Sequence, residues 1–252
     1  MQFTSEISSP GITERTFTLD DVTGVLWSPT DGTAGAPLIL MGHSGSLHKK
    51  SRGILARAFH YVTDYGFSVA AIDAPGHGER PRNAQDEQWV AALEEAWNAG
   101  DPIDEIVTEY NTSLAERAVP EWQATLDALQ ALPEIGPAAP VGYGGITLGT
   151  AIGLMLTAAE PRIKAATFGG VLVYEALTEA ARQITVPVEF LLPWDDEDID
   201  RHNALVLFDA CASQEKAMHV YPGWHDQVPE FAIDDSARFF LRHLGPGATS
   251  TI

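Results

Sequence analysis

The sequence predicts an α/β fold, a mostly parallel sheet covered on both faces by helices, and three observations carry that expectation. Apolar runs of strand length alternate with amphipathic helical patterns along most of the chain. Gly145-Ile146-Thr147-Leu148-Gly149 stands between a short apolar approach and an apolar run suited to a buried helix, which gives the order strand, tight turn, helix. Asp73-Ala74-Pro75-Gly76-His77-Gly78-Glu79-Arg80 follows another apolar run as a glycine-rich turn.

Taken in order, residues 15–27 and 37–41 read as strands, 50–65 as a helix and 67–72 as a strand. Residues 81–133 are too long for a simple crossover between core strands and are expected to hold a helical lid. Trp89, Val90, Leu93 and Trp97 fall near helical spacing, as do Ile103, Ile106, Val107 and Tyr110, and Trp122, Leu126 and Leu129 suggest a third helix. Most of these side chains are expected to pack on the core, with Trp89, Trp97 and Tyr110 as candidate walls of a substrate pocket. Beyond the tight turn the pattern predicts strands at 163–168, 186–192 and 216–221 and helices at 174–183, 202–212 and 228–244. Residues 245–250 read as a frayed tail.

With 252 residues and 45% apolar content the chain can bury one substantial core, so one domain spanning residues 1–252 is expected, with the insertion at about 81–133. Fifteen basic side chains against 35 acidic ones give a formal charge of -20, which repels phosphate backbones and anionic lipid heads and argues against nucleic acid as a partner. The stretch 136–159 carries no charge, but its six glycines and the lack of flanking basic residues favour a buried core over a membrane span. A single cysteine, Cys211, forms no internal disulfide, and the first residues lack both a basic region and an apolar signal core, so a cytoplasmic location is the expectation. No Cys/His cluster has zinc-site spacing, and no glycine-rich loop matches a dinucleotide or P-loop fingerprint, so no metal or other cofactor is expected.

A nucleophilic hydroxyl on a tight turn needs a base, and the base needs a carboxylate to orient it. Thr147 occupies the centre of the turn. His225 follows the predicted strand ending at Tyr221, within Pro222-Gly223-Trp224-His225-Asp226, and histidine is the side chain most often used as a general base. The apolar strand 186–192 runs into Pro193-Trp194-Asp195-Asp196-Glu197-Asp198-Ile199, which sets carboxylates at the carboxyl end of a buried strand, where α/β ligand sites form. These acids cannot all be buried and ionised. Asp196 is read as the orienting acid, with Asp195 as the alternative. Oxyanion donors are assigned to the N–H of Leu148, next after the nucleophile, and of Gly45 in the loop Gly42-His43-Ser44-Gly45-Ser46, with Ser44 next and also a substrate-binding candidate.

At these residues the chain resembles the α/β-hydrolase superfamily, in its dienelactone-hydrolase-like and prolyl-oligopeptidase-like branch, over nearly its whole length. The segment Asp73 to Arg80 looks like the D-x-P-G-H-G-x-R turn common there, and 145–149 like the G-x-S-x-G nucleophile elbow. The family's habit of placing the acid three residues before an aliphatic one matches Asp196 with Ile199. The resemblance implies an α/β-hydrolase fold and a cofactor-free hydrolase acting on a small carboxylic ester, thioester or lactone through Thr147, His225 and Asp196.

The departure from the family is Thr147, where serine is usual. An elbow residue adopts positive φ, where a β-branched side chain is strained by ~1–3 kcal/mol. Three readings stay open: a slow but genuine hydrolase, a ligand-binding or interaction protein on a hydrolase scaffold, and a serine hydrolase carrying threonine at its nucleophile. The basic group His48, Lys49, Lys50 and Arg52 follows the 42–46 loop and is a candidate attractor for a substrate carboxylate, or a solvated helix start. Cys211 is read as a packed thiol.

Overall fold

In a computed structural model, which describes residues 1–32, 34–225 and 227–245, sixteen elements follow one another. They are β1 (Gln2–Ser9), β2 (Ile12–Leu19), β3 (Val22–Pro29), β4 (Leu38–Gly42), α1 (Arg52–Tyr65), β5 (Ser68–Ile72), α2 (Ala84–Ala99), α3 (Asp104–Gln130) and β6 (Val141–Gly145). The chain continues through α4 (Leu148–Ala159), β7 (Ile163–Gly169), α5 (Glu175–Ala181), β8 (Val188–Pro193), α6 (His202–Ala210), β9 (Lys216–Tyr221) and α7 (Glu230–Leu244). The tail expected beyond Gly245 lies outside the described residues, as does Asp226.

All nine strands form one sheet in the order β1-β2-β3-β5-β4-β6-β7-β8-β9. The five pairs from β5 to β9 are parallel, and the first three pairs are antiparallel. Every residue of β5, β6 and β8 is buried, which is why these strands read as continuous apolar runs rather than alternating ones. One face of the sheet packs on α1 and α7 through Ile54, Tyr61, Val62, Ala237 and Phe240. The other packs on α3, α4 and α5 through Leu114, Trp122, Leu126, Ala151, Leu154 and Leu177.

Two expectations are corrected at the N-terminal edge. Residues 15–27 are not one strand but parts of a hairpin, in which Leu19 pairs with Val22 and Asp20 takes a φ of 50°, a value that aspartate tolerates better than most residues. β1 was not expected at all, because seven of its eight residues are exposed and it lacks the apolar alternation that marks a half-buried strand.

The insertion holds two helices rather than three. Residues assigned to separate second and third helices belong to the single 27-residue α3, whose buried stripe of Tyr110, Leu114, Ala118, Trp122, Leu126 and Leu129 runs at helical spacing throughout. Pro120 lies inside it on the exposed face, as does Glu116, whose carbonyl it leaves without a helical partner. α2 starts on a capping box between Asn83 and Asp86, and the buried Asp86 carboxylate takes a two-pronged bond from Arg117 of α3, at 2.6 and 3.1 Å.

Candidate active site

The turn after β6 is built on backbone contacts that exclude side chains. A Cβ on Gly145 would lie 2.3 Å from the carbonyl oxygen of Gly149, and one on Gly149 would lie 2.4 Å from that of Gly42. Glycine at both ends therefore lets α4 start directly against β4 and β6. Between them Thr147 takes φ 55° and ψ -112°, and its N–H donates to the Gly170 carbonyl at 3.0 Å. Non-glycine residues rarely adopt this conformation, and a β-branched one least of all. Thr150 braces the turn from behind: its buried hydroxyl lies 2.9 Å from the Gly145 carbonyl and 2.7 Å from that of Gly169, and it accepts the Gly169 N–H at 3.0 Å.

Three side chains singled out in the sequence meet at this turn. Thr147 Oγ1 lies 3.0 Å from His225 Nε2, and His225 Nδ1 lies 2.8 Å from Asp196 Oδ2. With Nδ1 donating its proton to Asp196, Nε2 is left as an acceptor for the threonine hydroxyl. The other carboxylate oxygen of Asp196 accepts the backbone N–H groups of Asp198 and Ile199, each at 2.9 Å. The Asp196 side chain is 3% exposed against 21% for His225, so the carboxylate is shielded while the imidazole faces the open side. Asp195 is exposed, and its carboxylate accepts the Gly223 N–H at 3.2 Å, which ties the acid loop to the histidine loop.

The 42–46 loop leaves β4 beside the turn. Among the described residues, neither the N–H of Gly45 nor that of Leu148 has an acceptor. His43 shapes this loop from inside: its Nε2 accepts the Ala74 N–H at 3.0 Å and its Nδ1 donates to the Ser44 carbonyl at 2.8 Å. That pairing needs the neutral imidazole, and burial pushes its pKa down to about 4, against a partly opposing bond to the Ser44 carbonyl. The Ser44 hydroxyl reaches the Ile146 carbonyl at 3.4 Å, a weak bridge from loop to turn.

The turn 73–80 joins the same framework. Burial alone would raise the Asp73 carboxyl, but the Lys49 N–H and ammonium, with the Glu79 N–H and the Thr23 hydroxyl, hold it below the usual carboxylate range. Gly78 sits at φ 59° where a Cβ would meet that carboxylate at 2.3 Å. Arg80 donates to the Asp73 carbonyl and, through both terminal nitrogens at 2.7 and 2.6 Å, to Glu121 of α3.

A cleft of about 1620 Å³ opens over Thr147 and His225. Leu93, Trp97, Ile103 and Val107 form its insertion side, and Gly42, Ser44 and Gly45 part of its floor. Of the three aromatic wall candidates only Trp97 lines the cleft. Trp89 and Tyr110 do not, because they belong to a separate aromatic column: His43 lies 5.4 Å from His77, His77 stacks on Tyr110 at 6.4 Å, and Tyr110 stacks on Trp89 at 5.4 Å. The column connects the 42–46 loop to α2. The basic group is likewise divided, since Lys49 is buried in an ion pair with Asp73 at 2.5 Å, Lys50 pairs with Glu14 at 2.6 Å, and only Arg52 reaches the cleft.

Sequence reasoning passed over several residues that border the site. Gly170 lies directly against the site, where a Cβ would come within 3.3 Å of Asp196 Oδ2, a tight contact, and 3.6 Å of His225 Cε1, an ordinary one, and the Gly169-Gly170 pair after a predicted strand was the available signal. Thr150 and His43 act through backbone bonds that a linear pattern does not display. Cys211 is buried at the end of α6, where burial pushes its thiol up to about 11. Among the described residues, no group of three or more His, Cys, Asp and Glu is placed to hold a metal, and no helix is long and apolar enough to cross a membrane.

The sheet order, the tight turn between β6 and α4 and the cleft above it define an α/β-hydrolase fold. A cold-adapted esterase from an Arctic intertidal metagenomic library, in complex with PEG, is 33% identical and superposes with a TM-score of 0.76, covering 97% of this chain and 100% of that one. Two more distant structures share the fold: an acetyl xylan esterase from Paenibacillus sp. R4, at 14% identity with a TM-score of 0.70 over 94% and 86% of the two chains, and ferulic-acid-bound Est1E from Butyrivibrio proteoclasticus, at 14% with a TM-score of 0.67 over 96% and 100%. No protein-family model matches the sequence, and none of the curated proteins does. The chain belongs to the α/β-hydrolase superfamily, among its carboxylic ester hydrolases.

Proposed function

We propose that the protein hydrolyses a small carboxylic ester, thioester or lactone through a Thr147-His225-Asp196 triad. The observation that carries this reading is the His225 ring, with Thr147 Oγ1 at 3.0 Å on one nitrogen and Asp196 Oδ2 at 2.8 Å on the other. Thr147 Oγ1 attacks the acyl carbon while His225 Nε2 takes the hydroxyl proton. The N–H groups of Leu148 and Gly45 receive the oxyanion. Collapse of the tetrahedral intermediate breaks the bond to the leaving group, which departs with the proton held by His225. Water, deprotonated by the same imidazole, then releases the acid and restores Thr147. Asp196 keeps the Nδ1–H tautomer throughout and stabilises the imidazolium as it forms.

The chain acts in this reading as one α/β domain of the dienelactone-hydrolase-like branch. α2 and α3 serve as a lid over the cleft, with Trp97 as the aromatic wall that contacts substrate. Ser44, which lines the floor of the cleft beside the elbow, contacts the bound substrate.

Incubation with p-nitrophenyl acetate and butyrate, followed by a fluorophosphonate and peptide mass spectrometry, tests this. Steady turnover and a phosphonyl adduct on Thr147 are expected. A folded protein that binds ester analogues with neither turnover nor adduct would favour a ligand-binding role on the same scaffold.

A further inference from the structure

Cations are scarce in this chain and mostly neutralised: among the described residues, eight of its fifteen lysines and arginines lie within 4 Å of a carboxylate. Arg57 is not one of them. It lies on α1 and lines the cleft, on one helical stripe with Gly53, Ala56 and His60. Its single hydrogen bond among the described residues runs to the Gly53 carbonyl at 3.5 Å, the outer limit of such a contact. Burial lowers the proton affinity of its guanidinium, with only the neutral phenols of Tyr61 and Tyr221 to oppose it, yet an arginine stays charged at any working pH. His60, the next polar group on the stripe, already has partners in Asp64 and Asp234.

An unmatched guanidinium in a largely apolar wall is costly unless an anion arrives to meet it. We propose that Arg57 is the anchor for a carboxylate carried by the substrate, so that the preferred ester is a monoanion whose carboxylate rests on the α1 wall while its ester carbonyl lies at Thr147. The planar fork of Arg57 suits a carboxylate bidentately. Gly53 and Ala56 leave the approach free of side-chain bulk. A single negative charge fits the surroundings, because Glu94, Asp198 and Glu230 also face the cleft, none within 4 Å of the guanidinium, and they oppose a second one. The proposal deepens the esterase reading and rests on it.

The test uses matched pairs of esters that differ only in charge: monoethyl adipate against ethyl hexanoate for a carboxylate on the acyl side, and 6-acetoxyhexanoate against hexyl acetate for one on the alcohol side. In one pair the wild type should favour the anion, and Arg57→Gln should lower the ratio of kcat/KM between anion and neutral ester by about tenfold or more, chiefly through KM. Arg57→Lys should retain part of that ratio, since the charge remains and the fork is lost. A ratio unchanged by Arg57→Gln in both pairs, with both variants melting like the wild type, overturns the proposal. Calorimetric titration with hexanoate, a monoanion without an ester bond, separates it from the esterase reading: binding abolished by Arg57→Gln supports the anchor even where no ester is turned over, and no binding to the wild type, or binding unaffected by the substitution, counts against it.

Discussion

Thr147 Oγ1 and His225 Nε2 are 3.0 Å apart although Thr147 carries a β-branched side chain at a φ of 55°. The hydroxyl has kept its contact with the imidazole, and the extra methyl is borne as backbone strain and as bulk on the attack path. Thr147→Ser relieves the methyl's share of both burdens and keeps the hydroxyl, so esterase turnover should rise on the order of tenfold. Thr147→Ala should leave the fold intact and give no phosphonyl adduct. Steady-state kinetics and intact mass measurements decide the matter, and a folded Thr147→Ser protein inert toward a range of esters would remove the basis for a covalent mechanism.

Asp196 and Asp195 are adjacent but unequal, one shielded against His225 and the other exposed and joined to the Gly223 N–H. Asp196→Asn would keep its amide oxygen on the Asp198 and Ile199 N–H groups and turn its NH2 toward His225 Nδ1, which favours the wrong tautomer, so kcat should fall on the order of 10³- to 10⁴-fold. Asp195→Asn should cost no more than a few-fold. Comparing the two kcat values at one pH is sufficient, and equal losses would contradict the assignment of the acid.

His43 stays neutral in the fold down to about pH 4, whereas an exposed imidazole titrates near 6.5. Between those values the unfolded chain binds the extra proton and the folded chain does not. Stability from this group is therefore complete above about pH 6.5 and declines as the pH falls toward 4, by up to about 3 kcal/mol. Denaturant unfolding of wild type and His43→Gln across pH 4–7 should show a shallower decline in the variant. His77 and His243, also lowered by burial, and the Asp73, Glu134 and Glu160 carboxyls, held low by their cationic and N–H partners, contribute to the slope that remains. Parallel curves would mean that His43 does not carry the effect.

Trp97 is 63% exposed and lines the cleft, while Trp89 stacks on Tyr110 outside it. Trp97→Ala should therefore change the preference among acyl chain lengths and leave the melting temperature nearly unaltered. Trp89→Ala should do the reverse in large part, with a loss of roughly 1–3 kcal/mol from the dismantled stack. A p-nitrophenyl ester series run beside thermal denaturation separates the two, and identical specificity profiles for wild type and Trp97→Ala would deny that residue a part in the cleft wall.

Much of this arrangement was legible because buried parallel strands announce themselves as apolar runs and because glycines mark backbone contacts. Thr147, Asp196 and His225 could be placed together from sequence since each follows a recognisable strand in the required order. What escaped notice depended on three-dimensional pairing. Polar β1 is a strand only because β2 supplies its partner. The continuity of α3 past Pro120 depends on which face the proline occupies. Trp89 and Tyr110 show helical spacing equally compatible with a cleft wall or an internal stack, and only the position of His77 decides between them. Arg57 carries no sequence signal of its own, because only the packed structure shows that no carboxylate among the described residues lies within 4 Å of it.

The contact between Gly42 and Gly149 leaves no slack between the end of β4 and the first turn of α4, where even a methyl group on Gly149 would collide with the Gly42 carbonyl. The stretch bearing Gly45 and the stretch bearing Leu148 are thus two parts of one rigid block rather than two independently adjustable arms. Diversification of this scaffold toward new substrates is accordingly channelled to the α1 stripe and the 81–133 insertion, where side chains change without moving that block, and directed libraries confined to those two surfaces should retain the greatest share of active clones.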